Sequence, residues 1–112
     1  MMIQLKSFTK DAASRTKGLQ LKTKLEHAIK EERNISVDFD GIARFASPFF
    51  NNSFASLALI YGFDAIRGIS KLNLSETGNL AFTTSIENAQ LLSANPDYTD
   101  QIKDIINQNL PK

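Results

Sequence analysis

Apolar and polar residues alternate through Ile3 and Leu5 toward Phe8, the two-residue period of a short strand over residues 1–8. A polar stretch, Thr9 to Ser14, follows, and the period then changes to three and four. Ser14, Gly18, Leu21, Leu25, Ala28 and Ile29 fall on one face of a helix, with Lys17, Gln20, Lys24, His27 and Glu31 on the other. A glycine inside a helix costs about 1 kcal/mol relative to alanine. Gly18 on the packed face therefore predicts that another backbone comes close there.

Ile35, Val37 and Phe39 alternate with Ser36, Asp38 and Asp40, which predicts a strand over 35–40, turned at Gly41 and placed at the sheet centre. Ser47-Pro48 reads as a helix start, because serine caps and proline suits the first helical position. Two apolar stripes follow, Phe50, Phe54, Leu57, Ala58 and Tyr61 in one and Phe49, Leu59, Ile60 and Phe63 in the other. They predict a helix covered on two sides that ends near Gly62. Ile69 to Leu74 reads as a further strand.

Residues 75–94 admit two readings. One is a single helix capped by Ser75 that buries Phe82, Ile86 and Ala89. The other is a strand over Leu80 to Thr83, with a helix begun by the capping box Thr84-x-x-Glu87. The single helix is preferred. Asn95-Pro96 breaks the chain, and Tyr98, Ile102, Ile105, Ile106 and Leu110 form a last amphipathic stripe over 98–110. That stripe packs on the chain's own sheet or on a second copy in a homodimer. The alternation of strands and helices predicts one α/β domain over 1–112. Its sheet is small and mixed, with about three to five strands and helices packed against it, the first strand pairing antiparallel.

A chain of 112 residues suits one core, and 42% apolar with 22% charged residues excludes a disordered or fibrous class. There is no cysteine, which removes disulfides, thiolate metal sites and cysteine nucleophiles. It fits a reducing compartment, so the cytoplasm is expected. Met1 to Phe8 lacks the apolar run of a signal peptide. Residues 45–63 carry no charge and approach the length of a membrane span, but Pro48, Asn51, Asn52, Ser53 and Ser56 crowd the first half, so a core helix is expected. Residues 1–33 hold eight Lys/Arg against four Asp/Glu, and residues 34–112 hold five against eight. The lysines at 17, 22, 24 and 30 are interleaved with Glu26, Glu31 and Glu32, the pattern of a solvated face, and the aromatic residues lie in apolar stripes. No nucleic-acid partner is expected.

Asp38-Phe39-Asp40-Gly41 resembles the opening motif of haloacid-dehalogenase-type phosphatases, in which the first Asp attacks phosphorus and the second is general acid/base. Alternation puts both carboxylates on one side of the strand, as a magnesium site requires. The alternative reading is thus a metal-dependent phosphatase-like enzyme using Asp38 and Asp40. Against it, Ile42 stands where that family has Thr or Val, no later strand ends in an acidic pair, and the chain is short for that fold. A strand-end Asp that bonds turn amides accounts for the same residues. His27 has no partner nearby in sequence, and the glycines do not follow a phosphate-cradling spacing. No catalytic residue, metal site or cofactor is expected. At the start of the core helix, Ser47, Pro48, Phe49, Asn51 and Asn52 are the candidate partner-binding residues.

The order Ser14-Arg15-x-x-Gly18, Val37-Asp38-Phe39-x-Gly41-Ile42, Ser47-Pro48-x-Phe50-x-Asn52 and Leu72-Asn73-Leu74-Ser75 resembles the STAS-like family of unknown function over residues 14–90. That family usually carries an acidic pair after the Phe of the third motif, where Asn52 and Ser53 stand here. The wider STAS group includes antagonists of anti-sigma factors. It places Asp-Ser-Ser/Thr-Gly at a helix start, and a kinase phosphorylates the second hydroxyl. The corresponding run here is Ala46-Ser47-Pro48-Phe49, so the acceptor position falls on Pro48, and Ser47 is the hydroxyl left for regulatory phosphorylation. The resemblance implies a non-enzymatic docking module in a signalling or switch system. A histidine-kinase-like ATPase is the implied protein partner, since STAS-like members are often encoded beside one.

Overall fold

The computed structural model describes residues 1–31 and 34–94. In it three strands, β1 (Met2–Gln4), β2 (Ser36–Asp38) and β3 (Ser70–Leu72), form one sheet in the order β1-β2-β3. Both pairings are parallel, with Ile3 beside Val37 beside Lys71, and Gln4 beside Asp38 beside Leu72. The expected mixed sheet is therefore corrected to a parallel one. Between β1 and β2 the chain builds α1 (Arg15–Lys30), 16 residues that carry it back to the starting edge. A parallel neighbour needs a crossover connection of this kind, which the helix supplies. The first strand is also shorter than 1–8, because Leu5–Ser7 turns into a 3-10 helix that buries Leu5.

Ile3 and Val37 are buried on one face of the sheet, while Met2, Gln4, Ser70 and Leu72 on the other are exposed. The helices thus cover a single face. Ser14 caps α1, its Oγ accepting the Lys17 N–H at 3.2 Å. α1 buries Gly18, Leu21, Leu25 and Ala28 as the spacing predicts. It also buries Lys22, only 3% exposed, which the sequence reading set among solvated lysines. A lysine's four-carbon stem covers apolar surface well, which makes such a position tolerable.

The core helix, α2, spans residues 47–61 in three pieces: α-helical Ser47–Phe50, π-helical Asn51–Ala55 and α-helical Ser56–Tyr61. Asn52 Nδ2 donates to the Pro48 carbonyl at 2.7 Å and Ser53 Oγ to the Phe49 carbonyl at 2.7 Å. These side-chain donors take the i−4 carbonyls at the point where the backbone widens to the π spacing. Phe49, Phe50 and Phe54 of α2 are fully buried together with Phe39. The Phe50 ring lies 5.2 Å from Phe49, 6.1 Å from Phe39 and 5.8 Å from Phe82, so it joins helix, sheet and last helix.

A short α3 (Phe63–Arg67) leads into β3, and α4 (Glu76–Ala94) ends the described chain. Residues 75–94 form the single capped helix. Ser75 Oγ accepts the Gly78 N–H at 3.1 Å, and the Ser75 carbonyl accepts the Asn79 N–H at 2.8 Å. The helix expected at 98–110 lies outside the described residues. Among the described residues no helix is long and apolar enough to cross a membrane.

Candidate functional site

In a parallel sheet with returning helices, all strands end on the same side, and the helices that follow them begin there. This edge gathers the residues that the sequence singled out. Asp38, the last residue of β2, accepts two hydrogen bonds on Oδ1, from the Asp40 N–H at 2.9 Å and from Asn73 Nδ2 at 2.9 Å. The bond from Asn73, then that from Asp40, holds the Asp38 carboxyl below the usual carboxylate range, with the Lys6 charge adding to them. Asp40 itself pairs with Lys6, Oδ2 to Nζ at 3.3 Å. Both side chains are more than half exposed, so this pair contributes under about 1 kcal/mol.

The exits of all three strands are tied together in this way: Lys6 after β1, Asp38 at the end of β2 with Asp40 just beyond it, and Asn73 after β3. Two tight turns shape the clamp. Gly41 has φ +81° and Asn73 has φ +58°, a region open to glycine and, among other residues, most readily to asparagine. Among the described residues no group of three or more His, Cys, Asp or Glu could hold a metal ion.

Beside this clamp lie the starts of α1 and α2. Ala12 and Phe45 form an isolated parallel bridge, with the Ala12 N–H donating to the Arg44 carbonyl at 2.9 Å and the Ala46 N–H to the Ala12 carbonyl at 3.0 Å. Two residues beyond each bridged residue stand Ser14 and Ser47. Their roles differ. Ser14 caps α1, whereas Ser47 already belongs to α2, whose cap residue is Ala46 and has no side-chain bond. The expected Ser47 cap is corrected by the backbone: Ala46 is extended (φ −150°, ψ 152°), and its carbonyl accepts the Phe49 N–H at 3.2 Å.

Of the expected partner-binding residues, Pro48 and Asn51 are exposed and Ser47 is half-buried. Phe49 is fully buried and Asn52 is 8% exposed, so neither offers its side chain to a partner in this conformation. Cover from α1 and α4 on either side of α2 leaves only a narrow strip of its first turns open. Lys6 and Asn73 were missed as members of the site. The signal was present for Asn73, an asparagine between two leucines just past a strand, where left-handed turns occur. A third cluster, on α1 and α2, was not visible either: Tyr61 donates to Glu26 Oε2 at 2.9 Å, one helical turn from buried Lys22. Burial lowers the Lys22 pKa, and Glu26 works in the opposite direction.

A family model described as a STAS-like domain of unknown function matches residues 18–79, more than half of the chain. The chain belongs to that STAS-like family. No curated protein and no solved structure matches it. In this STAS-like chain the four short motifs have physical tasks: Gly18 admits α2, Asp38 and Gly41 shape the exit of β2, Asn52 ties back the first turn of α2, and Asn73 and Ser75 link β3 to α4.

Proposed function

We propose that this STAS-like domain is a non-enzymatic, cytoplasmic docking module that presents the first turns of α2, with Ser47, Pro48 and Asn51, to a protein partner. The observation that carries the reading is how that turn is mounted. Phe49, Phe50 and Asn52 fix it in the core, while Pro48 and Asn51 project outward between them. A surface held this rigidly loses little conformational entropy on association. Among the described residues the strand order β1-β2-β3 never reverses, which supports a docking role over a small-ligand crevice of the kind found at the switch points of open α/β sheets. The two donors on Asp38 Oδ1 suit a turn clamp better than a nucleophile.

The favoured partner is a histidine-kinase-like ATPase in a signalling switch. Ser47 is the regulatory acceptor in this reading, since its hydroxyl caps nothing and a phosphate there would meet the positive end of α2. Titration calorimetry of the full chain against a histidine-kinase-like ATPase tests the proposal. Asn51→Arg should weaken binding at least tenfold, and Glu87→Arg on the exposed side of α4 should leave it unchanged. Equal affinity for the parent chain and Asn51→Arg would refute the assignment of this surface.

A further inference from the structure

An apolar groove of about 120 Å³ lies between α3, β3 and α4, away from the start of α2. Phe63, Ile66, Phe82 and Ile86 form its floor, and Arg67 and Lys71 stand at its rim. Small-molecule sites enclose about 300–1,000 Å³, so this groove has room for a single apolar side chain. Among the described residues Lys71 is the one strand residue in its lining, which puts the groove at the outer edge of β3.

That edge is open. β3 pairs with β2 and, among the described residues, with no other strand. The Ser70 N–H donates to the Ile35 carbonyl at 3.0 Å, and the Leu72 carbonyl accepts the Phe39 N–H at 2.9 Å. Successive residues of a strand turn their backbone groups to opposite sides, so those of Lys71 face away from β2. The Lys71 side chain lies in register with Ile3 and Val37, on the face that the helices cover. There its Nζ sits 4.4 Å from the centre of the Phe82 ring. Arg67 pairs with Asp64 of its own helix, whereas Lys71 has no carboxylate partner among the described residues.

We propose that β3 accepts an added strand from a partner protein, an extended segment in which an apolar and an acidic residue stand two apart. Residues two apart share one face of a strand. The apolar side chain fills the groove beside Lys71, the carboxylate meets Nζ, and the segment's backbone pairs with the Lys71 N–H and carbonyl. A lysine turned inward on an edge strand deters strands that bring no counter-charge, which makes the carboxylate a condition of entry. Burial disfavours the charge on Lys71, and an incoming carboxylate offsets that cost.

The capped peptide acetyl-Thr-Glu-Thr-Leu-Thr-amide, titrated into the full chain and followed by NMR, tests the proposal. It should shift the side-chain resonances of Phe82 and Ile86 and move the Lys71 amide downfield, as a new hydrogen bond requires. The analogue with Gln for Glu should bind about threefold more weakly, the scale of a partly exposed ion pair. Lys71→Met should erase the difference between the two peptides. Equal affinities in the parent chain, a Lys71 amide that stays in place, or no shift at millimolar peptide would overturn the proposal. Protection of the Lys71 amide from exchange in the peptide-free chain would also overturn it. Protection that grows with concentration would favour a second copy, and protection at every dilution a segment of the chain itself. All these readouts lie on β3 and α4, so their failure leaves the docking role of α2 standing.

Discussion

Gly18 of α1 lies so close beneath Phe49 of α2 that a Cβ built on it would stand 2.5 Å from the Phe49 carbonyl oxygen. The contact is with backbone, which cannot rotate away, so α2 must shift to admit even a methyl group. Gly18→Ala is therefore expected to destabilise the domain by about 1–3 kcal/mol, despite alanine's better helix propensity. Gly68 supplies the control. Its backbone is right-handed (φ −74°) and the nearest atom is 3.7 Å from its would-be Cβ, so Gly68→Ala should be neutral or slightly stabilising. Urea midpoints of the two variants check both expectations.

Two serines in the middle of α2 are expected to respond in opposite ways. Ser53 and Ser56 are both fully buried, but Ser53 Oγ bonds the Phe49 carbonyl, whereas Ser56 Oγ has no hydrogen-bond partner. Ser53→Ala should cost about 1 kcal/mol, and Ser56→Ala should be neutral or stabilising, because it removes a polar atom that burial penalises. Thermal unfolding of the pair distinguishes them.

The clamp at Asp38 gives a pH signature. Its folded-state pKa is lowered, chiefly by Asn73, so its stabilisation is fully present above the unfolded carboxylate value of about 4 and is lost as pH falls through the folded value. The stability gap between the parent chain and Asp38→Ala should be open at pH 7 and narrow below pH ~4. A gap independent of pH would contradict the clamp.

Lys22 is expected to act at the other end of the scale. Burial lowers its folded-state pKa, so below the unfolded value of about 10.4 the unfolded chain binds more protons, and stability rises with pH through that window. Lys22→Met should be no less stable than the parent at pH 7 and should show a shallower rise toward pH 10. Some slope should remain, because burial also lowers the Lys71 pKa. Denaturant titrations at several pH values measure it.

Much of this fold was legible because each element repeats its period over several turns. The face of α1, the two-sided burial of α2 and the Ser75-capped α4 all follow from such spacing, and Gly18 announced the close helix contact. Strand direction was not legible: β1 is only three residues long, and what makes it parallel is the return of the chain along α1. Nor could spacing separate Phe49 and Asn52 from Pro48 and Asn51, because α2 is covered from two directions and one stripe cannot reveal which residues the second neighbour hides. The clamp partners Asn73 and Asp38 are 35 residues apart, a pairing that no local pattern encodes.

The most direct test of the central claim is an amide-resolved NMR titration of the full chain with a histidine-kinase-like ATPase, the proposed partner. The account predicts the largest shifts at Ser47 and Asn51, with the amides of Asp38 and Asp40 little moved. Shifts confined to Asp38 and Asp40 on adding magnesium, together with turnover of a phosphoester that Asp38→Asn abolishes, would contradict it.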